Sequence, residues 1–191
     1  MAKIYLGSDW HFSRFRKITR SMKYDYIKSK EILNKYKEVL TDDDLFIFLG
    51  DLSYIGKKNT SKINECLESI RTLPGKKILI KGNHDHSSDK TYRKLGFKYV
   101  SKLLRVDNVI FTHIPYEVYG NEINIHGHLH GSNTYTKVDP YNHVDSYTSK
   151  FNNYPILLED LIITGDNIDQ SLINEDFFEI INTELFKLVK D

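Results

Sequence analysis

The sequence predicts an α/β fold with a mixed sheet. Three observations carry this reading. Five short apolar runs have the length and residue content of buried strands. Amphipathic segments of helical period separate the first three runs. Each run is followed at once by a cluster of polar, chemistry-bearing side chains.

The first run is Ile4-Tyr5-Leu6. After it, residues 21–40 set Met22, Tyr26, Leu33, Tyr36 and Leu40 on one helical stripe, with Lys and Glu elsewhere. The second run, Leu45-Phe46-Ile47-Phe48-Leu49, leaves the acidic turn Asp42-Asp43-Asp44. Residues 60–72 form a second helical pattern through Ile63, Leu67 and Ile70, with Cys66 beside them. The third run, Ile78-Leu79-Ile80, follows Pro74-Gly75. A short helix over 88–95 runs into Gly96, the residue type that most readily ends a helix. Val109-Ile110-Phe111 and Ile123-Asn124-Ile125 are the last two runs. A final helix over 171–189 uses Leu172, Phe177, Ile181, Leu185 and Leu188. The order is β-α-β-α-β-α, then several strands and a helical tail.

The chain has 191 residues, without internal repeats or a low-complexity linker, which fits one domain over residues 1–191. That length buries on the order of 70% of the unfolded surface. A hydrophobic fraction of 40% excludes a disordered chain. The one cysteine, Cys66, excludes a disulfide within the chain and favours a reducing compartment. No apolar run approaches the roughly 20 residues of a membrane span. An acid at Asp9 interrupts the start too early for a leader core. A cytoplasmic protein without membrane contact is expected. The net charge of +1 conceals a split: 23 basic and 12 acidic residues up to Arg105, then 4 basic and 14 acidic. Such asymmetry marks either an anion site or two solvated faces.

The polar clusters are Asp9-Trp10-His11, Gly50-Asp51, Gly82-Asn83-His84-Asp85, His113, and His126-Gly127-His128-Leu129-His130. Ligand sites in α/β sheets assemble at the carboxyl ends of strands, where all five clusters fall. Six of the eight histidines belong to them. Hard oxygen from Asp and Asn, combined with imidazole nitrogen, suits manganese, iron, zinc or nickel. Eight potential ligands exceed the needs of one ion, so two divalent ions are expected, manganese first. Asp9 and His11 are two apart, as are His128 and His130, and on an extended strand end each pair would project to one side. A lone Asp after a strand is ordinarily a turn former. Five such clusters in order, each at a strand end, are not explained by turn formation.

This pattern, Asp-x-His, Gly-Asp, Gly-Asn-His-Asp, His, Gly-His-x-His, resembles that of the calcineurin-like metallophosphoesterase superfamily. His113-Ile114-Pro115-Tyr116 and Tyr141-Asn142-His143-Val144-Asp145 are similar to stretches of a compact prokaryotic and phage group within it. The resemblance implies a sandwich of two mixed β-sheets flanked by helices. It implies that Asp9, His11, Asp51 and His130 hold one metal, and Asp51, Asn83, His113 and His128 the other, with Asp51 bridging. His84 would face the leaving group, with Asp85 holding its ring. The segment Phe12-Ser13-Arg14-Phe15-Arg16-Lys17 departs from the small group, which often carries a further His and Gly there.

The expected chemistry is hydrolysis of a phosphomonoester or phosphodiester, a nucleotide among the candidates. A hydroxide shared by two metals beside Asp51 would attack phosphorus in line. Metals and the Asn83 amide would neutralise the phosphoryl oxygens, and His84 would protonate the departing oxygen. Two alternatives differ in class: a nuclease on DNA or RNA strands, and a non-catalytic interaction module on the same fold. Arg14, Arg16 and Lys17, with Arg20 and Lys23 beyond and Phe12 and Phe15 interleaved, are the candidate substrate contacts. His126 is read as structural, His86 as solvated and Trp10 as core. The acidic tail, Glu159 to Asp191, reads as a solvated helical face.

Overall fold

The computed structural model describes residues 3–12, 20–53, 61–128, 153–155 and 177–190, the side chains of 20–29, 61–63, 153–155 and 177–182 excepted. In these segments the chain runs β1 (Ile4–Gly7), α1 (Arg20–Val39), β2 (Leu45–Phe48), α2 (Ser61–Arg71), β3 (Lys76–Ile80) and α3 (Asp89–Arg93). It continues through β4 (Phe97–Ser101), β5 (Leu103–Val106), β6 (Val109–Thr112), β7 (Ile123–His126), β8 (Asn153–Pro155) and α4 (Phe177–Leu188). The expected β-α-β-α-β-α order and all five apolar strands are present. The first turn of the expected 171–189 helix lies outside the described residues. No helix among those described is long and apolar enough to cross a membrane.

Two four-stranded sheets form, in the orders β1-β2-β3-β4 and β5-β6-β7-β8. The first is parallel throughout, with Ile4 opposite Leu45 and Leu45 opposite Lys76. Among the described residues the second is the mixed one: β5 and β6 make an antiparallel hairpin, while β6-β7 and β7-β8 are parallel. The expected pair of packed sheets flanked by helices is present. A helix follows each of the first three strands, and a helical crossover returns the chain in the same direction.

Alternation along the strands explains why β2 is apolar at every position. Leu45, Ile47 and Leu49 turn to the second sheet and join Ile4, Leu6, Ile78 and Ile80 against Val109, Phe111, Ile123 and Ile125. Phe46 and Phe48 turn to the helices and join Tyr5, Leu33, Tyr36, Cys66, Leu67 and Ile70. A strand covered on both faces has no place for a polar side chain. Trp10 is fully buried on the helical side, its ring 4.7 Å from Phe48 and 5.6 Å from Tyr36, as expected of a core residue.

The acidic turn before β2 is a fastening. The Asp44 carboxylate accepts the backbone N–H of Lys3 and the N–H and hydroxyl of Thr41, each at 2.8 Å. These bonds set the starts of β1 and β2 side by side. With the parallel register fixed, the carboxyl ends of β1, β2 and β3 come out at one edge. β6 and β7, running parallel to each other in the facing sheet, end beside them.

Candidate metal centre

At that edge two acid–imidazole groups form around one carboxylate. Asp9, His11 and Asp51 offer ligand atoms within 4.8 Å of one another, and so do Asp51, His113 and His128. The His11 Nε2 lies 3.6 Å from Asp51 Oδ2 and 3.8 Å from Asp9 Oδ1. The His113 Nε2 lies 3.4 Å from the same Asp51 oxygen. Asn83 presents Oδ1 to His113 Nε2 at 3.0 Å, and His128 presents Nδ1 to it at 3.1 Å. Asp9, His11, Asp51, Asn83, His113 and His128 are therefore brought together. His130 and the basic residues Arg14, Arg16 and Lys17 lie outside the described residues, as does His143.

Local backbone does much of the aiming. Asp9, His11, Asp51 and His128 have φ values of 61°, 48°, 58° and 75°. This left-handed region is disfavoured for side chains with a Cβ. Asp9 and His11 thus converge through left-handed turns beyond the end of β1, which corrects the expected extended-strand alternation. Strain of this kind collects at functional sites and persists only where the surroundings enforce it. Here the two sheets enforce it. Asp9 Oδ2 accepts the backbone N–H of His128 at 2.9 Å, and the Asp9 and His11 N–H groups donate to the carbonyls of Gly50 and Asp51.

The donor set fits a cation. His113 directs Nδ1 at the Leu49 carbonyl, 2.7 Å away, and a carbonyl can only accept. Nδ1 therefore carries the proton, and in the neutral ring Nε2 presents a lone pair. That lone pair faces the Asn83 and Asp51 oxygens and a His128 nitrogen. Converging lone pairs call for positive charge between them. A proton on the imidazole is the alternative way to place positive charge among these atoms, and the ionisation equilibria lean toward it. Burial opposes the charged form of Asp51, but the His113 hydrogen bond, the charges of His113 and His11 and the His84 N–H outweigh it and hold its carboxyl well below the usual range. Burial also opposes charge on His113, yet the hydrogen bond and charge of Asp51, with Asp9, raise it above the ordinary imidazole range.

His84 stands at the open side of the group, its side chain 38% exposed, with Nε2 3.8 Å from Asp51 Oδ2. Its ring meets that of His11 edge to face at 5.3 Å. Asp85 does not hold this ring. Its carboxylate accepts instead the N–H groups of Asp51, Leu52, Ser53 and Gly82 and the hydroxyl of Tyr92. The expectation that Asp85 orients His84 through the imidazole is overturned, because both carboxylate oxygens are committed to the β2 loop, the β3 loop and α3. His126 is fully buried on β7, with Nδ1 2.9 Å from the Gly127 carbonyl. Burial, with the charges of His113 and His128 adding and the Gly127 carbonyl opposing, pushes its imidazole down to about 4, so it stays neutral beside the cluster. His86 is exposed, as read.

Two contributors were not legible in the sequence. Ser8 donates its hydroxyl to Asp9 Oδ2 and fills the space beside Gly127, where a Cβ would lie 1.8 Å from Ser8 Oγ. Tyr92 reaches Ser53 and Asp85 from α3. A serine beside a ligand and a tyrosine on a short helix carry no sequence signal of their own.

Fold and site together place the chain among α/β proteins that carry an oxygen- and nitrogen-lined cation site at the carboxyl edge of a sheet. More narrowly, the chain belongs to the calcineurin-like phosphoesterase family, whose model matches residues 2–164. The family acts on phosphate esters, which makes the chain a hydrolase of that class. It is similar to the uncharacterized protein MJ1445 of Methanocaldococcus jannaschii, at 31% identity over 156 residues, 77% of this chain and 74% of that protein. Among solved structures it resembles the protein of unknown function AQ665 from Aquifex aeolicus, with a TM-score of 0.51 and 25% identity over 68% of this chain and 80% of that one. It also resembles the nuclease MPE of Pseudomonas putida, with a TM-score of 0.49 and 21% identity over 66% of this chain and 61% of that one.

Proposed function

We propose that the protein hydrolyses phosphate monoesters or diesters, nucleotides among the candidate substrates, with two divalent transition metal ions, manganese first. The observation that carries this reading is the sharing of Asp51 by two acid–imidazole groups. Asp9 and His11, with His130, would hold one ion; Asn83, His113 and His128 the other; Asp51 both. Such a pair, when bound, supplies Lewis acidity to phosphoryl oxygens and acidifies water toward neutrality.

The chain's own groups divide the work. Asp51 and Asp9 set the negative charge that fixes cations at the sheet edge. The Asn83 amide neutralises charge on a phosphoryl oxygen from beside His113. His84, on the open side, carries a proton to the departing oxygen at Nε2. Arg14, Arg16 and Lys17 would hold further anionic groups of the substrate. Buried Cys66, outside any disulfide, suits a cytoplasmic setting.

The test is hydrolysis of an aryl phosphate and a bis-aryl phosphate by protein stripped with a chelator and reloaded. Activity that disappears on stripping and returns with manganese is expected. Inactivity with manganese, iron, zinc and nickel alike would overturn the reading. Binding to oligonucleotides that falls steeply with salt, with strand cleavage, would move the substrate to nucleic acid.

A further inference from the structure

Asp85 is 3% exposed, and an ionised carboxylate at that depth is costly unless hydrogen bonds fill its lone pairs. They are filled. Oδ2 accepts the N–H of Asp51 at 2.8 Å and that of Gly82 at 2.9 Å. Oδ1 accepts the N–H groups of Leu52 at 3.1 Å and Ser53 at 3.3 Å. The fully buried Tyr92 shares its hydroxyl proton between Asp85 Oδ1 at 3.3 Å and the Ser53 carbonyl at 3.2 Å.

The grip is reciprocal. Asp51 Oδ1 accepts the backbone N–H of His84 at 2.8 Å. The β2 loop thus holds the β3 loop through one carboxylate, and the β3 loop holds the β2 loop through another. There is no slack between them: a Cβ on Gly82 would lie 2.2 Å from Asp51 Oδ1 and 2.5 Å from Asp51 N. The residue so held is the one shared by both acid–imidazole groups, and its φ of 58° needs outside support to persist.

We propose that Asp85 and Tyr92 are positioning residues that hold the left-handed turn at Asp51, and so set the shared carboxylate and the His84 backbone in fixed relation. The inference rests on the metal reading above for what Asp51 holds. Tyr92 acts at one remove: without its hydroxyl, the Ser53 carbonyl and Asp85 Oδ1 lose a donor, and the loop that begins at Asp51 loses a tie to α3.

The test is calorimetric titration of the chelator-stripped full chain with manganese alone, as wild type, Asp85→Asn and Tyr92→Phe, with the thermal midpoint of each stripped protein measured alongside. Loss of a group that orients metal ligands typically weakens affinity by about 10–100-fold, and that is expected for Asp85→Asn. Tyr92→Phe should weaken it less, in the same direction, with its midpoint nearly kept and its turnover of an aryl phosphate largely recovered at saturating manganese. Tyr92→Phe keeps the buried ring, so it decides the matter if Asp85→Asn does not fold. Wild-type affinity in the folded variants, or affinity that falls only in step with unfolding, would overturn the positioning role. A wild-type chain that takes up no manganese, iron, zinc or nickel sinks the metal reading itself.

Discussion

One carboxylate of this site touches the backbone of the residue beside it in space and faces its ring as well: Asp51 accepts the His84 N–H at 2.8 Å, and its other oxygen lies 3.8 Å from His84 Nε2. The backbone of the candidate acid is therefore fixed while its ring is left half-exposed for a substrate oxygen. His84→Ala should keep metal content and lower turnover by about 10²–10⁴-fold, the usual worth of a positioned proton donor. The loss should be larger for an alkyl phosphate than for an aryl phosphate, because a poor leaving group depends more on protonation. Metal analysis with rates on the two substrates checks this, and an equal loss on both would remove His84 from the role of acid.

Asp51 sits in both ligand groups, whereas Asp9 and His128 each sit in one. Asp51→Ala should consequently lose both ions, while Asp9→Ala and His128→Ala each lose one more than the other. The measurement is metal stoichiometry after dialysis against manganese. Retention of two ions by Asp51→Ala would show that the carboxylate is not shared. Asp51→Ala also takes the acceptor from the His84 N–H and the counter-charge from His113, which destabilises the fold, so metal content is compared on variants whose folded state a thermal midpoint has verified.

Much of the site was legible because its residue types are unusual at strand ends. Asp9, Asp51, Asn83, His113 and His128 follow apolar runs that could only be buried strands, and a parallel sheet brings such ends to one edge. The double-sided burial of β2 was legible for the same reason. β4, β5 and β8 carry no such signal, because Lys98 and Arg105 interrupt the first two and Asn153–Pro155 is three residues long. Backbone conformation was the other blind spot. Nothing in Asp-Trp-His announces two left-handed residues, since that geometry depends on carbonyls of Gly50 and Asp51 some 40 positions away. The family resemblance implies that Asp85 holds the His84 ring, whereas packing gives its carboxylate to the N–H groups of the β2 loop.

Strain outside the site can be separated from strain inside it. Asp107, at φ 51°, is the remaining non-glycine residue with a left-handed backbone among those described, and it starts the tight turn between β5 and β6. It touches no ligand group. Asp107→Gly should relieve most of the steric cost of that conformation, roughly 1–2 kcal/mol, offset by about 0.5–1 kcal/mol of extra chain entropy when unfolded. The net expectation is a neutral to slightly stabilising change with unaltered turnover. Urea unfolding with parallel rate measurements checks it, and a loss of activity would tie the hairpin to the site.

Asp44 gives the fold a pH dependence whose sign can be worked out. Burial opposes its ionisation, but the N–H groups of Lys3 and Thr41 and the Thr41 hydroxyl outweigh it, so the folded carboxyl lies below its ordinary value. An unfolded Asp titrates near roughly 4. Between that value and the lower folded one, the unfolded chain binds more protons, so this stabilisation is complete above the unfolded value and is lost as pH falls through the folded value. Asp44→Asn keeps one acceptor and loses the charge, and should cost about 1–2 kcal/mol at neutral pH, the worth of charge-assisted bonds to backbone donors. The gap between wild type and Asp44→Asn should narrow as pH drops below about 4, because protonation makes the two side chains alike. Urea midpoints at neutral pH and at successively lower pH read this directly. A gap that stayed constant into the acid range would mean that Asp44 fastens β1 to β2 by shape and not by charge, and a gap that widened would reverse the sign argued here.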